Sequence, residues 1–373
     1  MLIGIDGNEA NVEKKVGIGE YAYELLCQFH KIASARKDLQ FKIYLKSSPR
    51  VEMPVPTESW RYQIVGPKKF WTQIGLPLKL FTETKKPNVF FSPSHYAPRF
   101  SPIPTAISIM DLSYIHFPEL FTKHDLYQLV NWTKYSAKNA KKIFTISNFS
   151  RDDIIKTYGK DPKDVVTTYL GIKQILGSKQ KALSMEELKK KFGIDGNYIL
   201  FVGTLQPRKN IAKLIEAFAE IKDKKIKLVV VGKKGWLWEE IMQAPEKYGV
   251  KERVKFLDFV GNEDLPGLYK NASCFVLPSL YEGFGLPVLE AMKYGCPVLT
   301  SNVSSLPEVG GDACLYFDPK STDEIAQKID QVISDEKLRQ EMIEKGYNQV
   351  KKFSWEKTAK EALNVLEKLA KSS

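Results

Sequence analysis

Runs of four to seven apolar residues recur along the chain, each followed by a polar loop and then by a stretch whose apolar residues return every third or fourth position. A continuous apolar run of that length suits a strand covered on both faces of a parallel sheet, and the wider spacing suits a helix with one buried side. The runs predict strands at 2–5, 41–45, 88–92, 105–109 and 142–146, then at 198–202, 227–231, 254–257, 274–277 and 297–300. A helix over 20–32 sets Tyr21, Leu25, Leu26 and Phe29 on one side, and further helices start near Arg208, Trp238, Asn262 and Pro287. A last helix, from Ser354 onward, lines up Ala359, Ala362, Leu363, Val365, Leu366 and Leu369. Alternating strands and helices predict an α/β chain of two Rossmann-like parallel-sheet domains, residues 1–175 and 186–352, facing an interdomain cleft. The glycine- and lysine-containing stretch 171–185 is the expected join.

The length of 373 residues agrees, because one core seldom organises so long a chain. No apolar run approaches the roughly 20 residues needed to cross a bilayer, and Met1 to Asp6 lacks both the basic leader and the apolar stretch of a secretion signal. Cys27, Cys274, Cys296 and Cys314 show no metal-ligand spacing, as expected of free thiols in a reducing cytoplasm. The net charge of +12 is unevenly spread: residues 1–185 hold 27 Lys/Arg against 16 Asp/Glu, while the remainder holds 29 against 28. A basic half suits an anionic partner, a membrane surface or a phosphorylated acceptor, or else a merely solvated lysine face. Nucleic acid is not expected, since zinc spacings, RNA-binding aromatic signatures and arginine tracts are missing. The segment 70–80, flanked by Lys68, Lys69, Lys85 and Lys86, has two readings: a membrane-surface element, or a short helix packed on the first sheet. Pro77 would interrupt a long amphipathic helix and favours packing.

Three loops carry candidate chemistry. After the apolar run ending at Pro278 come Tyr281-Glu282-Gly283-Phe284-Gly285-Leu286-Pro287-Val288-Leu289-Glu290. The glycines permit a sharp turn and close approach to a ligand, Pro287 suits a first helical turn, and each carboxylate can accept from a pair of sugar hydroxyls. After Val202, Gly203 to Asn210 places Arg208 and Lys209 where a helix should open, a strong site for a diphosphate. In the first half, Gly17-Ile18-Gly19 precedes a helix but lacks the third glycine of a dinucleotide fingerprint. Asp111 follows the strand at 105–109, and His30, His95, His116 and His124 read as ordinary core or surface residues.

The Glu282–Glu290 segment, with Ala291-Met292, Gly295-Cys296-Pro297-Val298 and Leu306-Pro307-Glu308 beyond it, resembles the signature of the retaining, GT-B-fold glycosyltransferases of family 4 (glycosyl transferases group 1). Gly17-Ile18-Gly19-Glu20-Tyr21, Phe117-Pro118-Glu119 and Ser304-Ser305-Leu306-Pro307-Glu308 are similar to mannosyltransferases of that family. The resemblance implies metal-independent hexose transfer from a nucleotide sugar, GDP-mannose first and a UDP-hexose second, to a hydroxyl of a glycan or lipid-linked acceptor. It implies catalytic roles for Glu282, Asp111, Arg208 and Lys209. Donor contacts fall on Gly17, Gly19, Arg208, Lys209, Glu282, Gly283, Phe284, Gly285, Leu286 and Glu290, with no metal and no cofactor. It also implies a C-terminal helix, 354–373, returning to the first domain, and a cytoplasmic enzyme peripheral to the inner face of the cell membrane. Met110 stands where the family usually has a histidine before the aspartate. That departure leaves open a sugar-nucleotide-binding protein without turnover; an epimerase or phosphorylase on the same frame is the other alternative.

Overall fold

The computed structural model of the chain describes residues 1–15, 17–172 and 182–372, which divide into two compact units: Met1–Gly171 with Phe353–Ser373, and Ile172–Lys352. The middle of the expected join, 173–181, lies outside the described residues.

The first unit is built on β1 (Leu2–Asp6), β2 (Gln40–Leu45), β3 (Trp60–Ile64), β4 (Val89–Ser92), β5 (Thr105–Ser108), β6 (Lys142–Thr145) and β7 (Val165–Thr167), in the order β3-β2-β1-β4-β5-β6-β7. The second is built on β8 (Tyr198–Val202), β9 (Lys227–Val231), β10 (Val254–Leu257), β11 (Cys274–Leu277), β12 (Val298–Ser301) and β13 (Cys314–Phe317), in the order β10-β9-β8-β11-β12-β13. The pairings are parallel throughout. Every residue of β1, β4, β5, β11 and β12 is buried, which is why they are mostly apolar, with Asp6, Ser92, Thr105, Ser108, Thr300 and Ser301 as buried polar exceptions. The three strands that the pattern did not predict, β3, β7 and β13, are all sheet edges. In β3 only Trp60 is buried and in β7 only Val165, so no continuous apolar run marks them; β13, half-covered in its middle, is the apolar run Cys314-Leu315-Tyr316-Phe317, which the pattern passed over.

Helix Ile18–Ala35 packs its buried side on the first sheet, with Phe29 stacked on Phe41 at 5.7 Å. The C-terminal helix Trp355–Lys371 belongs to the same unit: Ser354 caps it by accepting from the Lys357 N–H, and Arg36 ion-pairs with Glu367 at 2.5 Å. Gly171 passes so close to its start that a Cβ there would lie 2.1 Å from the Trp355 nitrogen.

The segment at 70–80 forms a π-turn, Trp71–Gly75, and a helix, Leu76–Thr82. Trp71, Leu76 and Leu80 are buried with Tyr44, Val65 and Phe90, so one side packs on the first sheet. The helix expected near Arg208 is a correction. Pro207–Lys209 is a single 3-10 turn, Asn210 takes a left-handed conformation with φ 58°, and the regular helix Ile211–Glu220 begins only after it.

Each strand order reverses once, between β1 and β4 and between β8 and β11. In open parallel sheets ligands settle outside the carboxyl ends of the strands at such a reversal. The second sheet delivers the loop after β8, with Arg208 and Lys209, and the loop after β11, with Glu282, to that position.

Candidate functional site

The two loops lock together. The Leu280 N–H donates to the Arg208 carbonyl at 2.9 Å, while the Arg208 guanidinium donates to the Tyr281 carbonyl. The Glu282 carboxylate, 6% exposed, holds Lys209 through Oε1 and Arg208 through Oε2, the latter at 3.2 Å. Ser279 Oγ donates to Oε1 at 2.6 Å. The backbone of Glu282 is fixed as well: its N–H donates to Ser304 Oγ at 3.0 Å, and Ser305 Oγ donates to its carbonyl at 2.9 Å. Burial by itself would raise the Glu282 pKa; the charges of Lys209 and Arg208 outweigh it and bring the group down to about 2. A buried carboxylate with two cations leaves a local excess of one positive charge, the balance that attracts a phosphate group.

Gly285 turns the chain from this loop into helix Leu286–Lys293, with φ 95° and Leu306 Cδ2 only 2.6 Å from where a Cβ would sit. The backbone angle strains any side chain and an added methyl would have to displace that of Leu306, so Gly285→Ala should destabilise the fold by about 1–3 kcal/mol. The urea midpoint measures this, and an unchanged midpoint would show that the turn relaxes. Gly283, Phe284 and Leu286 frame the same turn; Phe284 is buried. Glu290, one turn into the helix, is half-buried and accepts from the Tyr269 hydroxyl at 3.1 Å. Tyr269 is itself stacked on Tyr294, ring centres 5.9 Å apart.

Gly17, Gly19 and Asp111 lie in the first unit, at the carboxyl ends of β1 and β5. Gly17 has φ 51° at the start of its helix, and a Cβ on Gly19 would lie 2.9 Å from the Glu9 carbonyl oxygen, so the loop from 7 to 15 closes tightly on Gly19. Asp111 is half-buried and accepts from the Ser113 N–H at 2.8 Å. His116 is drawn off to Asp153, 2.7 Å away. His95, three residues beyond β4, lies within reach of the Asp111 charge; burial nonetheless lowers its pKa to about 4, which favours the neutral imidazole.

Residues 184–349 match the family model described as glycosyl transferases group 1. Over 377 aligned positions the chain is 32% identical to O-antigen chain mannosyltransferase B of Escherichia coli, covering 93% of this chain and 95% of that protein. The chain belongs to the group 1 glycosyl transferases. Among solved structures it superposes on sucrose-phosphate synthase from Thermosynechococcus elongatus with a TM-score of 0.76 at 18% identity, covering all of both chains. It also superposes on Anabaena HepE in complex with UDP and glucose, with a TM-score of 0.71 at 19% identity over 98% of this chain and 99% of that one. Its fold is accordingly GT-B, two Rossmann-like parallel-sheet units.

The pattern of residues had not marked several parts of this glycosyltransferase's site. Ser279, Ser304 and Ser305 hold Glu282, and Tyr269 holds Glu290; Ser304 and Ser305 had entered only as part of a family resemblance with no role attached, and Ser279 and Tyr269 carry no signal of their own in one sequence. The loop after β9, Lys233-Lys234-Gly235-Trp236, was not singled out, although a lysine pair and an aromatic beyond a buried strand were a signal that could have found it. It is zipped to the Arg208 loop, with the Leu205 N–H donating to the Lys233 carbonyl at 2.8 Å and the Gly235 N–H to the Leu205 carbonyl at 2.9 Å. Lys233 lies 4.4 Å from the Phe259 ring centre, and Trp236 is 44% exposed, so flat apolar and cationic groups border the Arg208 loop. Among the described residues no group of three or more His, Cys, Asp or Glu is placed to hold a metal ion, and no helix is long and apolar enough to cross a membrane.

Proposed function

We propose that this glycosyltransferase moves a hexose, mannose in the first instance, from GDP-mannose or else a UDP-hexose to a hydroxyl of a glycan or lipid-linked acceptor, with retention and without a metal ion. The observation that carries the reading is the buried Arg208–Lys209–Glu282 cluster at the strand-order reversal of the second sheet. The 32% identity to an O-antigen chain mannosyltransferase supports mannose as the sugar.

As the glycosidic bond breaks, negative charge gathers on the departing diphosphate, and preset cations lower the barrier where charge develops. Arg208 and Lys209 meet that charge, already oriented by Glu282, which makes Glu282 in the first place a positioning residue for them. The turn at Gly283–Leu286 lies against the sugar, Glu290 takes the ribose diol, and the backbone at Gly17 and Gly19 approaches the phosphates. Asp111 accepts from a hydroxyl of the acceptor or the sugar. The bond from the anomeric carbon to the phosphate oxygen breaks, and the bond to the acceptor oxygen forms on the same face. The acceptor's proton passes to the leaving phosphate oxygen, so no side-chain base is required. Nucleotide sugars and unpaired thiols both belong to a reducing cytoplasm, and a lipid-linked acceptor would bring the enzyme to the inner face of the membrane.

The test is a donor screen with GDP-mannose, UDP-glucose and UDP-galactose against an acceptor lipid extract. The product should gain one hexose from GDP-mannose, keep the donor's anomeric configuration by NMR, and form equally in EDTA. An inverted product would overturn the mechanism, and transfer from UDP-sugars alone would overturn the choice of donor.

A further inference from the structure

The first unit carries an apolar face that its own packing does not use. Opposite the buried Trp71, Leu76 and Leu80, the same π-turn and helix present Phe70, Ile74, Leu78 and Phe81, each about half exposed at 53%, 46%, 57% and 52%. Ile74, Leu78 and Phe81 follow one another at helical spacings of four and three residues, and Phe70, left-handed at φ 53°, caps the start of the same element. Phe100, 72% exposed, lies in the loop tied to this element by the Arg99 N–H donating to the Thr72 carbonyl at 2.9 Å.

The exposed charges that flank the row along the chain carry one sign. Lys68 and Lys69 precede it and Lys85 and Lys86 follow it, all exposed, with Lys69 lying 5.4 Å from the Phe70 ring centre. From Ser59 to Met110 the sequence contains a single acid, Glu83. Glu83 is buried, ion-paired to Lys42 at 2.7 Å and bonded by the Tyr44 hydroxyl, so it adds no negative charge to this face. An exposed apolar row bordered by lysines is the arrangement that lies in a membrane interface, with apolar side chains at the acyl boundary and ammonium groups among lipid phosphates.

We propose that the face formed by Phe70, Ile74, Leu78 and Phe81 docks on an anionic lipid surface. Of the two readings the sequence allowed for 70–80, packing and membrane contact, the element has a separate side for each. A second copy of the chain is a poorer occupant, because a twofold contact through this face would set its lysines against their own duplicates. The proposal extends the reading of a lipid-linked acceptor but needs neither donor nor acceptor to hold.

Vesicle sedimentation of the whole chain, with no nucleotide sugar present, tests it separately from the transfer reaction. Vesicles containing phosphatidylglycerol should bind at least about tenfold more tightly than pure phosphatidylcholine, and added salt should weaken the binding. Lys68→Ser with Lys69→Ser should cost about fivefold per lysine. Leu78→Ser with Phe81→Ser should cost about tenfold or more. The melting temperature and transfer to a water-soluble acceptor should stay as in the wild type. No binding to either vesicle, or binding that both variants leave unchanged, would overturn the proposal. So would a solution dimer that the Leu78→Ser/Phe81→Ser variant splits, which would assign the face to self-association.

Discussion

Replacing Lys209 with methionine is expected to slow sugar transfer by about 10²- to 10³-fold, the usual loss when one preorganised group facing developing charge is removed. It should also lower stability by about 1–3 kcal/mol, because the buried Glu282 carboxylate loses the closer of its two cations and keeps only Arg208. Both effects trace to one geometry: Lys209 is only 8% exposed, and its ammonium lies on Glu282 Oε1. Arg208, on the other oxygen at 3.2 Å, cannot replace it, since it is also tied to the Tyr281 carbonyl. The turnover number at saturating donor and the urea midpoint measure the two effects independently. Loss of activity with an unchanged midpoint would place Lys209 outside the ion pair in solution.

Replacing Glu282 with glutamine removes the opposite partner and predicts a different pattern. In the folded protein this carboxylate titrates at about 2 against an ordinary value of 4.5. Because the folded value is depressed, the ionised group stabilises the fold fully above about pH 4.5, and that contribution fades as pH falls toward 2. It amounts to something on the order of 3 kcal/mol at neutral pH. The Glu282→Gln variant should therefore be less stable at pH 7, lack this part of the acid dependence, and converge with the wild type near pH 2. Its turnover should fall by roughly 10²-fold, as the two cations lose the group that orients them. Its KM for the donor should not rise, since both cations remain to meet the phosphates. A rise in KM with unchanged turnover would make Glu282 a simple sugar-binding residue.

The fold was legible where physics leaves an unambiguous mark. Strands buried on both faces, such as β4 and β11, are largely apolar and stood out. Edge strands β3 and β7 are covered less and carry broken apolar patterns, whereas the edge strand β10 was recognised and β13, an apolar run, was passed over. The helix placed at Arg208 shows another limit: Pro207 starts a turn, but only coordinates reveal that Asn210 adopts φ 58° and delays the regular helix. In the site, Arg208, Lys209 and Glu282 could be named because charged residues in glycine-containing loops after strands are conspicuous, and Glu290 because it completes the motif that carries the family resemblance. What could not be read was their mutual engagement. Arg208 and Glu282 are 74 residues apart, and nothing local in either loop encodes the ion pair that joins them. Ser304 supports Glu282 from a third loop, where its own φ of 54° is a conformation a sequence does not announce.

The central claim is that Arg208 and Lys209 hold the diphosphate of a nucleotide. Calorimetric titration of GDP and UDP into the wild type and the Arg208→Ala variant tests it most directly, with whichever nucleotide the wild type prefers. Losing a hydrogen-bonded charge from the diphosphate should weaken binding by about 10- to 150-fold, with the nucleoside alone binding both proteins equally. Equal affinity of the diphosphate for both proteins would contradict the account.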